Sequence, residues 1–364
     1  MASSDRIKLY EKIEEIRKRK LIAYVTSIRP GMSGQMAGDA ISSILRQLDE
    51  IPKECKEIDF LIVSNGGDPI TALRIITLLR ERFEKITVLL PYVAYSAATI
   101  LSLGADEIIM HPYSNLGPTD PQIKSVKLNQ NGQKEETNFG SEDIRNYIDF
   151  AKEDLKIRKK DLVNVLSNMS KDVSSLAIGS SKRSQRLSYA LSIKLLKTHM
   201  NSKKRIKKIA KMLSQSYYHH SYAVGRTEAK RLGLDIIEPN DELEKLLWQV
   251  WMDFANEMKV DKSFNPISEI MENLIVKKDL EVIPVISYPA NIPQEIVKQK
   301  MIQLIQQTGV TMQKNLEVEC LIAAIESPRK VYQVVDEIKI AYWRNLNMEL
   351  NTNFTILSKG WIEK

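Results

Sequence analysis

Short apolar runs alternate with amphipathic stretches along the first 110 residues of the chain. Four runs are compact and mostly apolar, as in buried strands, and cover residues 21–27, 58–63, 86–90 and 107–110. Between them, apolar positions recur every three or four residues, which predicts helices. A charged helix is predicted before the first strand, over residues 6–20. Strands that alternate with helices at this spacing predict right-handed crossovers and a mostly parallel sheet, and therefore an α/β fold.

The middle of the chain has a polar, helical pattern. Over about residues 141–216, lysine-rich amphipathic stretches follow one another and no run predicts a convincing strand. We expect this segment to be a helical insertion or a side layer. The α/β pattern returns at residues 227–237, where TEAKRLGLDII predicts a short helix, a stop at Gly233 and a strand.

A second unit is predicted to begin near Asp241. Its pattern indicates a helix with two tryptophans, a strand at 282–287, a helix at 293–308 and a strand region at 316–325. A chain of 364 residues is long enough for two domains. The predicted organisation is an N-terminal helix (1–20), a core that includes the helical insertion (21–240) and a smaller C-terminal accessory α/β region (241–364).

One segment, residues 86–105, has the length of a membrane-spanning helix and carries no formal charge. Pro91 and several hydroxyl side chains interrupt it. It also divides into a β-rich half (86–90) and a half made of small residues (96–104). A buried strand, a turn and a buried helix are therefore predicted in place of a membrane span.

The composition is that of an ordinary globular protein, with 43% apolar and 27% charged residues. Cys55 and Cys320, the two cysteines, lie far apart, which argues against a thiolate metal site or a disulfide framework. No metal or cofactor is expected. The Gly-rich stretch GMSGQMAGD matches neither a P-loop nor a dinucleotide-binding motif. Because the charged N-terminus has no apolar run typical of a secretory signal, a cytoplasmic location is expected.

Positive charge is concentrated in the helical insertion. Residues 151–215 contain 17 Lys and Arg against 4 Asp and Glu, whereas the whole chain has a net charge of +7. Apolar residues at helical spacing accompany the lysines after residue 203, as in an amphipathic helix with a solvated basic face. Such a surface could also bind nucleic acid or an anionic membrane. No recognition motif accompanies it, so these partners are not favoured.

Two loops hold the residues best suited to chemistry, and each follows a predicted parallel strand, at the sheet edge where open α/β sheets bind ligands. The first contains Gly66 and Gly67, whose backbone can approach a substrate closely and turn an N–H toward it. The second places Ser96 among alanines at the start of a helix, as a candidate nucleophile. Because about one helix and one strand separate the loops, we expect them side by side. The N–H groups of Gly67 and Ala97 would then form an oxyanion hole.

The sequence around these loops resembles the serine dehydrogenase proteinase family of the Clp protease and crotonase superfamily. The matching runs are IDFLIVSNGGDPITAL, VLLPYVAYSAATILSLGADEIIMHPYSNLGPTDPQI and HHSYAVGRTEAKRLGLDI. The resemblance covers roughly residues 21–239 and extends more distantly to signal peptide peptidase A. It implies a spiral of ββα units with a mostly parallel sheet. It also implies peptidase activity on protein or peptide substrates and self-association into rings or trimers.

The resemblance implies roles for particular residues. Ser96 corresponds to the nucleophile, and Gly67 and Ala97 correspond to the donors of the oxyanion hole, with Gly66 as a further substrate-binding residue. Family members often have two glycines after the serine, where this chain has Ala97 and Ala98. The alanines keep the amide and narrow the space around it.

The general base has several candidates. A serine hydroxyl needs a neighbouring group within about 3 Å to accept its proton. His220 matches the family's histidine and is the first choice, and Asp120 could orient its ring. His111 is nearer to Ser96 in sequence, at the end of a predicted strand. A Ser/Lys dyad, as in signal peptide peptidase A, would instead use one of three lysines: Lys124, Lys127 or Lys134.

The predicted function is a serine endopeptidase that forms an acyl-enzyme on Ser96. A crotonase-like acyl-CoA enzyme is an alternative, because it would use the same two amides to hold a thioester enolate. A catalytically inactive scaffold that binds nucleic acid or membrane through its basic helices is another. A covalent adduct on the serine would distinguish the peptidase from the acyl-CoA enzyme. Salt-dependent retention on heparin or DNA, without serine labelling, would indicate the scaffold.

Overall fold

The computed structural model describes residues 3–128, 134–215, 222–280, 292–307, 309, 311–346 and 348–364. Contacts divide the chain into two compact units. The first comprises Met1–Thr26, Gln35–Asp253 and Ile325–Val331, and the second comprises Ser27–Gly34, Phe254–Ala324 and Tyr332–Lys364.

Strands and helices alternate in the N-terminal part of the chain. In order, these elements are α1 (Ser3–Arg17), β1 (Lys20–Thr26), β2 (Ile28–Arg29), β3 (Met32–Ser33), α2 (Ala40–Asp49), β4 (Glu57–Val63), α3 (Pro69–Arg82), β5 (Lys85–Leu90), β6 (Val93–Ala94), α4 (Ala97–Ser102), β7 (Glu107–Met110) and β8 (Asn115–Leu116). The strands predicted for this region are confirmed as β1, β4, β5 and β7. The charged N-terminal helix is confirmed as α1, although it ends before Lys20 because that residue already belongs to β1.

The middle of the chain is mainly helical, as predicted. It contains β9 (Gln122–Leu128), β10 (Lys134–Gly140), α5 (Ser141–Asp149), a π-helical turn (Phe150–Asp154), a 3-10 turn (Lys159–Asp161), α6 (Leu162–Asp172), α7 (Ser175–Leu196) and α8 (Lys203–Gln215). The antiparallel pair β9 and β10, which precedes the helices, was not predicted. In the part of the chain that the structure describes, no helix combines the length and the apolar character needed to cross a bilayer.

The C-terminal part begins with the predicted return of the α/β pattern. Its elements are β11 (Val224–Gly225), α9 (Arg226–Leu232), β12 (Ile236–Ile237), α10 (Asp241–Glu257), α11 (Pro266–Glu272), α12 (Leu274–Leu280), α13 (Gln294–Gln307), β13 (Lys314–Glu326), β14 (Val331–Arg344) and β15 (Leu350–Glu363). Gly233 ends α9 in a left-handed conformation with φ +106°, which glycine adopts without steric cost. The predicted helix, stop and strand are therefore confirmed here.

The sheet of the first unit is parallel and has the strand order β12-β7-β5-β4-β1. In β1 and β4, six of the seven residues are buried. Continuous burial of this kind is typical of parallel strands covered on both faces by helices. The predicted α/β fold is confirmed, and the loops that follow β4 and β5 leave the same edge of this sheet.

The uncharged segment 86–105 divides as predicted. Its first residues lie in β5, a turn and the short strand β6 follow, and the small residues form α4. Every residue of α4 is buried. β6 pairs with β8, which also pairs with β11, in a small second sheet of the same unit. The segment therefore lacks charge because its strand and helix are buried inside the first unit.

The second unit contains long strands in the order β13-β14-β15, and β14 and β15 pair in the antiparallel direction. A buried cluster that includes Ile270, Ile338 and Ile340 forms its core. The predicted helix at 293–308 and the strand region at 316–325 are confirmed as α13 and β13, whereas β14 and β15 were not predicted. The strand predicted at 282–287 lies outside the described residues.

Candidate active site

Ser96 lies between the short strand β6 and α4, in an unusual backbone conformation. Its φ is 51° and its ψ is −116°, in a region that residues other than glycine rarely adopt. Such strain persists only where the surrounding structure enforces it. Here the N–H of Ser96 donates to the carbonyl of Pro118 (3.2 Å), and its carbonyl accepts from the N–H of Ile100 (3.0 Å).

The Ser96 side chain occupies the N-cap position of α4 but does not cap the helix. A serine at this position usually accepts a hydrogen bond from the N–H two or three residues later. Within the described part of the chain, no hydrogen-bond partner is present for the Ser96 hydroxyl, and the residue is half-buried. The backbone of Ser96 is therefore fixed by hydrogen bonds, whereas its hydroxyl makes no hydrogen bond to the described residues.

The Gly-Gly loop after β4 lies directly against Ser96, as the sequence predicts. A Cβ added to Gly66 would lie 2.6 Å from the carbonyl oxygen of Tyr95 and 2.8 Å from the Cβ of Ser96. Gly66 has φ +103° and Gly67 has φ +148°, so both adopt conformations that favour glycine. The absence of side chains at these positions therefore allows the two loops to touch.

Hydrogen bonds fix the orientation of this loop. The N–H of Gly66 donates to Ser64 Oγ (3.0 Å), which also accepts from Thr26 Oγ1 (2.8 Å). The carbonyl of Gly66 accepts from the N–H of Met36 (2.7 Å). The polar backbone groups of Gly66 are therefore both engaged inside the protein, and the residue itself is buried.

Two neighbouring N–H groups have no acceptor. Among the hydrogen bonds of the described residues, neither the N–H of Gly67 nor that of Ala97 is a donor. The nitrogen of Ala97 lies 3.0 Å from the position that a Cβ on Gly66 would occupy, so it is adjacent to the Gly-Gly loop. Ala97 is the first residue of α4, where an N–H has no partner within the helix. Gly67 and Ala97 therefore remain the candidate donors of the predicted oxyanion hole.

A cleft of about 360 Å³ opens over Ser96 and Gly67. It is lined by Gln35, Asn65, Gly67, Pro69, Ser96, Ile100, Thr119, Pro121, Ser184, Leu187 and Ser188. No ionisable side chain is present among these described lining residues. The cleft therefore offers a hydroxyl, backbone donors and uncharged walls. Within the described residues, no group of His, Cys, Asp and Glu side chains is arranged to hold a metal ion.

A family model for ClpP-like SDH-type serine proteinases matches residues 12–250 of the sequence. The chain belongs to this family. The matched range contains both loops and all the described residues that line the cleft. The family resemblance predicted from the sequence motifs is therefore confirmed.

Individual relatives are more distant. The uncharacterized proteins MJ0137 and MJ1495 of Methanocaldococcus jannaschii are 30% and 29% identical to this chain over 193 and 194 residues. The alignments cover 53% of this chain and 57% and 56% of the two relatives, so the chain spans little more than half the length of either protein.

Solved structures with some similarity include two variants of the 1510-N membrane-bound stomatin-specific protease, one of them in complex with a substrate peptide. They are 17% and 16% identical to this chain, and the TM-score is 0.35 for both. The alignments cover 62% of this chain and 84% and 78% of those chains. At this TM-score the similarity supports no inference about this chain.

The residues predicted to act as the general base, or to orient it, do not line the described cleft. Asp120 is buried, with 7% of its surface exposed, and lies between the cleft residues Thr119 and Pro121 without lining the cleft itself. His220 lies outside the described residues. The side chains of three further candidates also lie outside the described part: Lys124, Lys127 and Lys134.

The described residues on either side of the segment that contains His220 bond to residues 116–119, a stretch that includes the cleft residue Thr119. The N–H of Thr119 donates to the carbonyl of Leu213 near the end of α8 (2.7 Å). At the other end, Val224 of β11 pairs with Leu116 of β8. Both sides are thus attached to residues 116–119. The carbonyl of Pro118 in the same stretch accepts the N–H of Ser96.

His111 belongs to an aromatic cluster instead of the cleft lining. Its ring stacks on Trp248 with centroids 4.9 Å apart, and Tyr113 contacts both rings edge-on. Nδ1 of His111 accepts the N–H of Tyr113 (3.1 Å). Burial lowers the pKa of His111 below its usual value of 6.5.

This lowered pKa makes the stability of the fold sensitive to acid. The unfolded chain binds a proton at His111 near pH 6.5, whereas the folded chain does so only at lower pH, so stability decreases as the pH falls below that value. We expect His111→Asn to reduce the loss of unfolding free energy between pH 7.5 and pH 5, measured by urea denaturation at each pH. An unchanged pH dependence in the variant would contradict this assignment.

Residues from α7 line the cleft. The sequence pattern did not indicate this, because it predicted only a helical insertion or a side layer here. Ser184 and Ser188 both lie on one face of α7, and Ser188 Oγ donates to the carbonyl of Thr119 (2.5 Å). A signal was present in the sequence, because serines recur at 181, 184, 188 and 192 on a helix otherwise rich in basic residues.

Proposed function

We propose that this protein is a serine peptidase in which Ser96 is the nucleophile. The observation that carries the proposal is a strained serine beside two N–H groups; within the described residues, neither its hydroxyl nor these N–H groups have a hydrogen-bond partner. Membership in a family of serine proteinases supports it. The cleft over these groups gives a polypeptide access to them.

In the proposed reaction, Ser96 Oγ attacks the carbonyl carbon of a peptide bond and its proton passes to a general base. The N–H groups of Gly67 and Ala97 donate to the oxygen that becomes negatively charged. The base then protonates the leaving amine, which departs as the C–N bond breaks and leaves an acyl-enzyme on Ser96. Water, deprotonated by the same base, attacks the ester and releases the acid.

His220 is the base that we propose, because the chain can bring it to Ser96. Leu116 pairs with both Ala94 and Val224, and with about 4.8 Å between strands Val224 lies roughly 10 Å from Ala94. Ser96 follows Ala94 by two residues. His220 precedes Val224 by four residues, which span up to about 14 Å when extended. Asp120, beside the cleft, is proposed to orient the imidazole.

We further propose cleavage within polypeptides, as an endopeptidase. Enzymes that remove terminal residues bind the charged α-amino or α-carboxyl group of the chain end, and the described lining of the cleft has no ionisable side chain for that purpose. Gly66, predicted as a substrate-binding residue, has its N–H and carbonyl engaged with Ser64 and Met36. We propose that Gly66 contributes by allowing the Gly-Gly loop to lie in close contact with the loop that contains Ser96.

Labelling with a fluorophosphonate probe tests this proposal. We expect the wild-type protein to be labelled, Ser96→Ala to lose all labelling, and His220→Ala to react roughly 10² to 10⁴ times more slowly, because general-base assistance is removed. Labelling of Ser96→Ala at the wild-type rate would reject the nucleophile. Unchanged labelling of His220→Ala would reject only the base and direct attention to the three candidate lysines.

A further inference from the structure

Helices α7 and α8 carry an unbalanced positive charge. Residues 173–215 contain 11 Lys and Arg and no Asp or Glu. Most of these side chains are exposed: Lys182, Arg183, Arg186, Lys194, Lys197, Lys203, Lys204, Lys207, Lys208 and Lys211. Solvated helix faces commonly mix both signs of charge along their length. The complete lack of acidic residues here creates a cationic surface, which we call the basic helix pair (α7 and α8).

The basic helix pair borders the cleft of Ser96. Helix α7 contributes Ser184, Leu187 and Ser188 to the lining of that cleft. Arg183 lies four residues before Leu187, on the same face of α7 and one turn away. The other helix is attached beside the cleft as well, through the bond between the carbonyl of Leu213 in α8 and the N–H of Thr119.

Two exposed arginines of α7 form no ion pair with a carboxylate of the described chain. Arg183 donates to Ser180 Oγ (3.3 Å), and neither Arg183 nor Arg186 forms an ion pair within the described residues. Both residues are exposed. A cluster of like charges on a surface raises the local concentration of ligands of the opposite sign.

We propose that the basic helix pair directs acidic polypeptide segments to Ser96, so that the preferred substrates carry Asp and Glu beside the cleaved bond. This inference rests on the proposed function. The described cleft walls are uncharged, so recognition of charge takes place at the rim, with residues that flank the scissile peptide. A polypeptide is favoured over nucleic acid because the basic residues of α7 lie on the same helix as residues that line the cleft of Ser96. The large exposed apolar side chains of α7 are Leu176 and Leu187, without an aromatic platform for bases.

The test compares two peptides with the same central sequence, one flanked by Asp and Glu and one by Lys and Arg. In low salt we expect the acidic peptide to have a kcat/KM about tenfold higher. The ratio should approach one at roughly 0.5 M salt, where exposed charges are screened. The double variant Arg183→Glu/Arg186→Glu should lose the preference for the acidic peptide. The loss should come from a higher KM for that peptide, whereas its kcat should stay within about twofold of the wild-type value.

A charge-matched control separates local from overall charge. Lys53 and Lys56 are exposed and lie before β4, at the opposite edge of the sheet from Ser96. Lys53→Glu/Lys56→Glu makes the same change in net charge, and we expect it to retain the wild-type preference.

Three outcomes would overturn the inference. Equal kcat/KM for both peptides in low salt would show that the rim charge does not select substrates. Equal losses in both double variants would attribute the preference to net charge. Salt-sensitive binding of DNA without any peptide preference would assign the helices to nucleic acid. If neither peptide is cleaved and Ser96 is not labelled, the proposed function itself fails and this inference falls with it.

Discussion

Gly67→Ala is expected to reduce kcat by about 10² to 10³, the cost of removing one preorganised donor from an oxyanion hole. A Cβ at this position would lie 2.2 Å from the carbonyl oxygen and 2.6 Å from the nitrogen of Met36, which are backbone atoms that cannot rotate away. The φ of +148° is also unfavourable for alanine. The loop must therefore move, and the N–H of Gly67 moves with it. Peptide hydrolysis and fluorophosphonate labelling would measure the loss.

Gly38→Ala is the matched control for this substitution. The only described atom close to an added Cβ at Gly38 is Thr71 Oγ1 at 3.8 Å, an ordinary contact distance. We expect this variant to retain activity within about twofold and to have the same circular dichroism spectrum as Gly67→Ala. Full activity of Gly67→Ala, with its fold intact, would show that the N–H of Gly67 does not hold the oxyanion.

Arg6→Met is expected to destabilise the protein by about 3 to 5 kcal/mol, because it leaves a buried carboxylate without its cation. The guanidinium of Arg6 bonds both carboxylate oxygens of Glu326, at 2.9 and 2.8 Å, and Asp253 at 2.5 Å. The side chains of Arg6 and Glu326 are completely buried. The hydroxyl of Tyr10 also donates to Glu326 (2.9 Å). Burial of Tyr10 and, to a lesser extent, the negative charge of Glu326 raise the pKa of Tyr10 well above its usual value. Urea unfolding of both proteins would measure the difference.

Lys8→Met, on the same helix α1, provides the comparison. The side chain of Lys8 is 73% exposed and lies 3.6 Å from the exposed Asp5. Pairs of this kind contribute little, so we expect a change below about 0.5 kcal/mol. If the two variants unfold at the same urea concentration, the buried network does not stabilise the fold as described.

The sequence predicted the parts of the site that depend on local backbone geometry. Gly66 and Gly67 were recognised because only glycine lets a loop after a buried strand approach its neighbour so closely, and the clash of an added Cβ with Ser96 agrees with that reasoning. The order of strands and helices placed this loop beside Ser96. The end of α9 at Gly233 was predictable for the same reason, since it needs a positive φ.

Other features depend on contacts between distant parts of the chain, which local patterns do not encode. Arg6 lies in a helix that was predicted only as charged, and its buried partner Glu326 is 320 residues away in sequence. The serines of α7 lie in a segment predicted as a helical insertion or a side layer, and the structure places two of them, Ser184 and Ser188, against the cleft. Strands β14 and β15 alternate apolar and polar residues only partly, so their pairing with each other was not evident.

Three serines line the same cleft, Ser96, Ser184 and Ser188, and the central claim is that only Ser96 reacts. Mass spectrometric mapping of the phosphonylated protein after digestion tests this claim most directly, because it identifies the modified residue without relying on a variant. We predict a single adduct, located on the peptide that contains Ser96. An adduct on Ser184 or Ser188, or no adduct on a fully folded protein, would contradict the proposed mechanism.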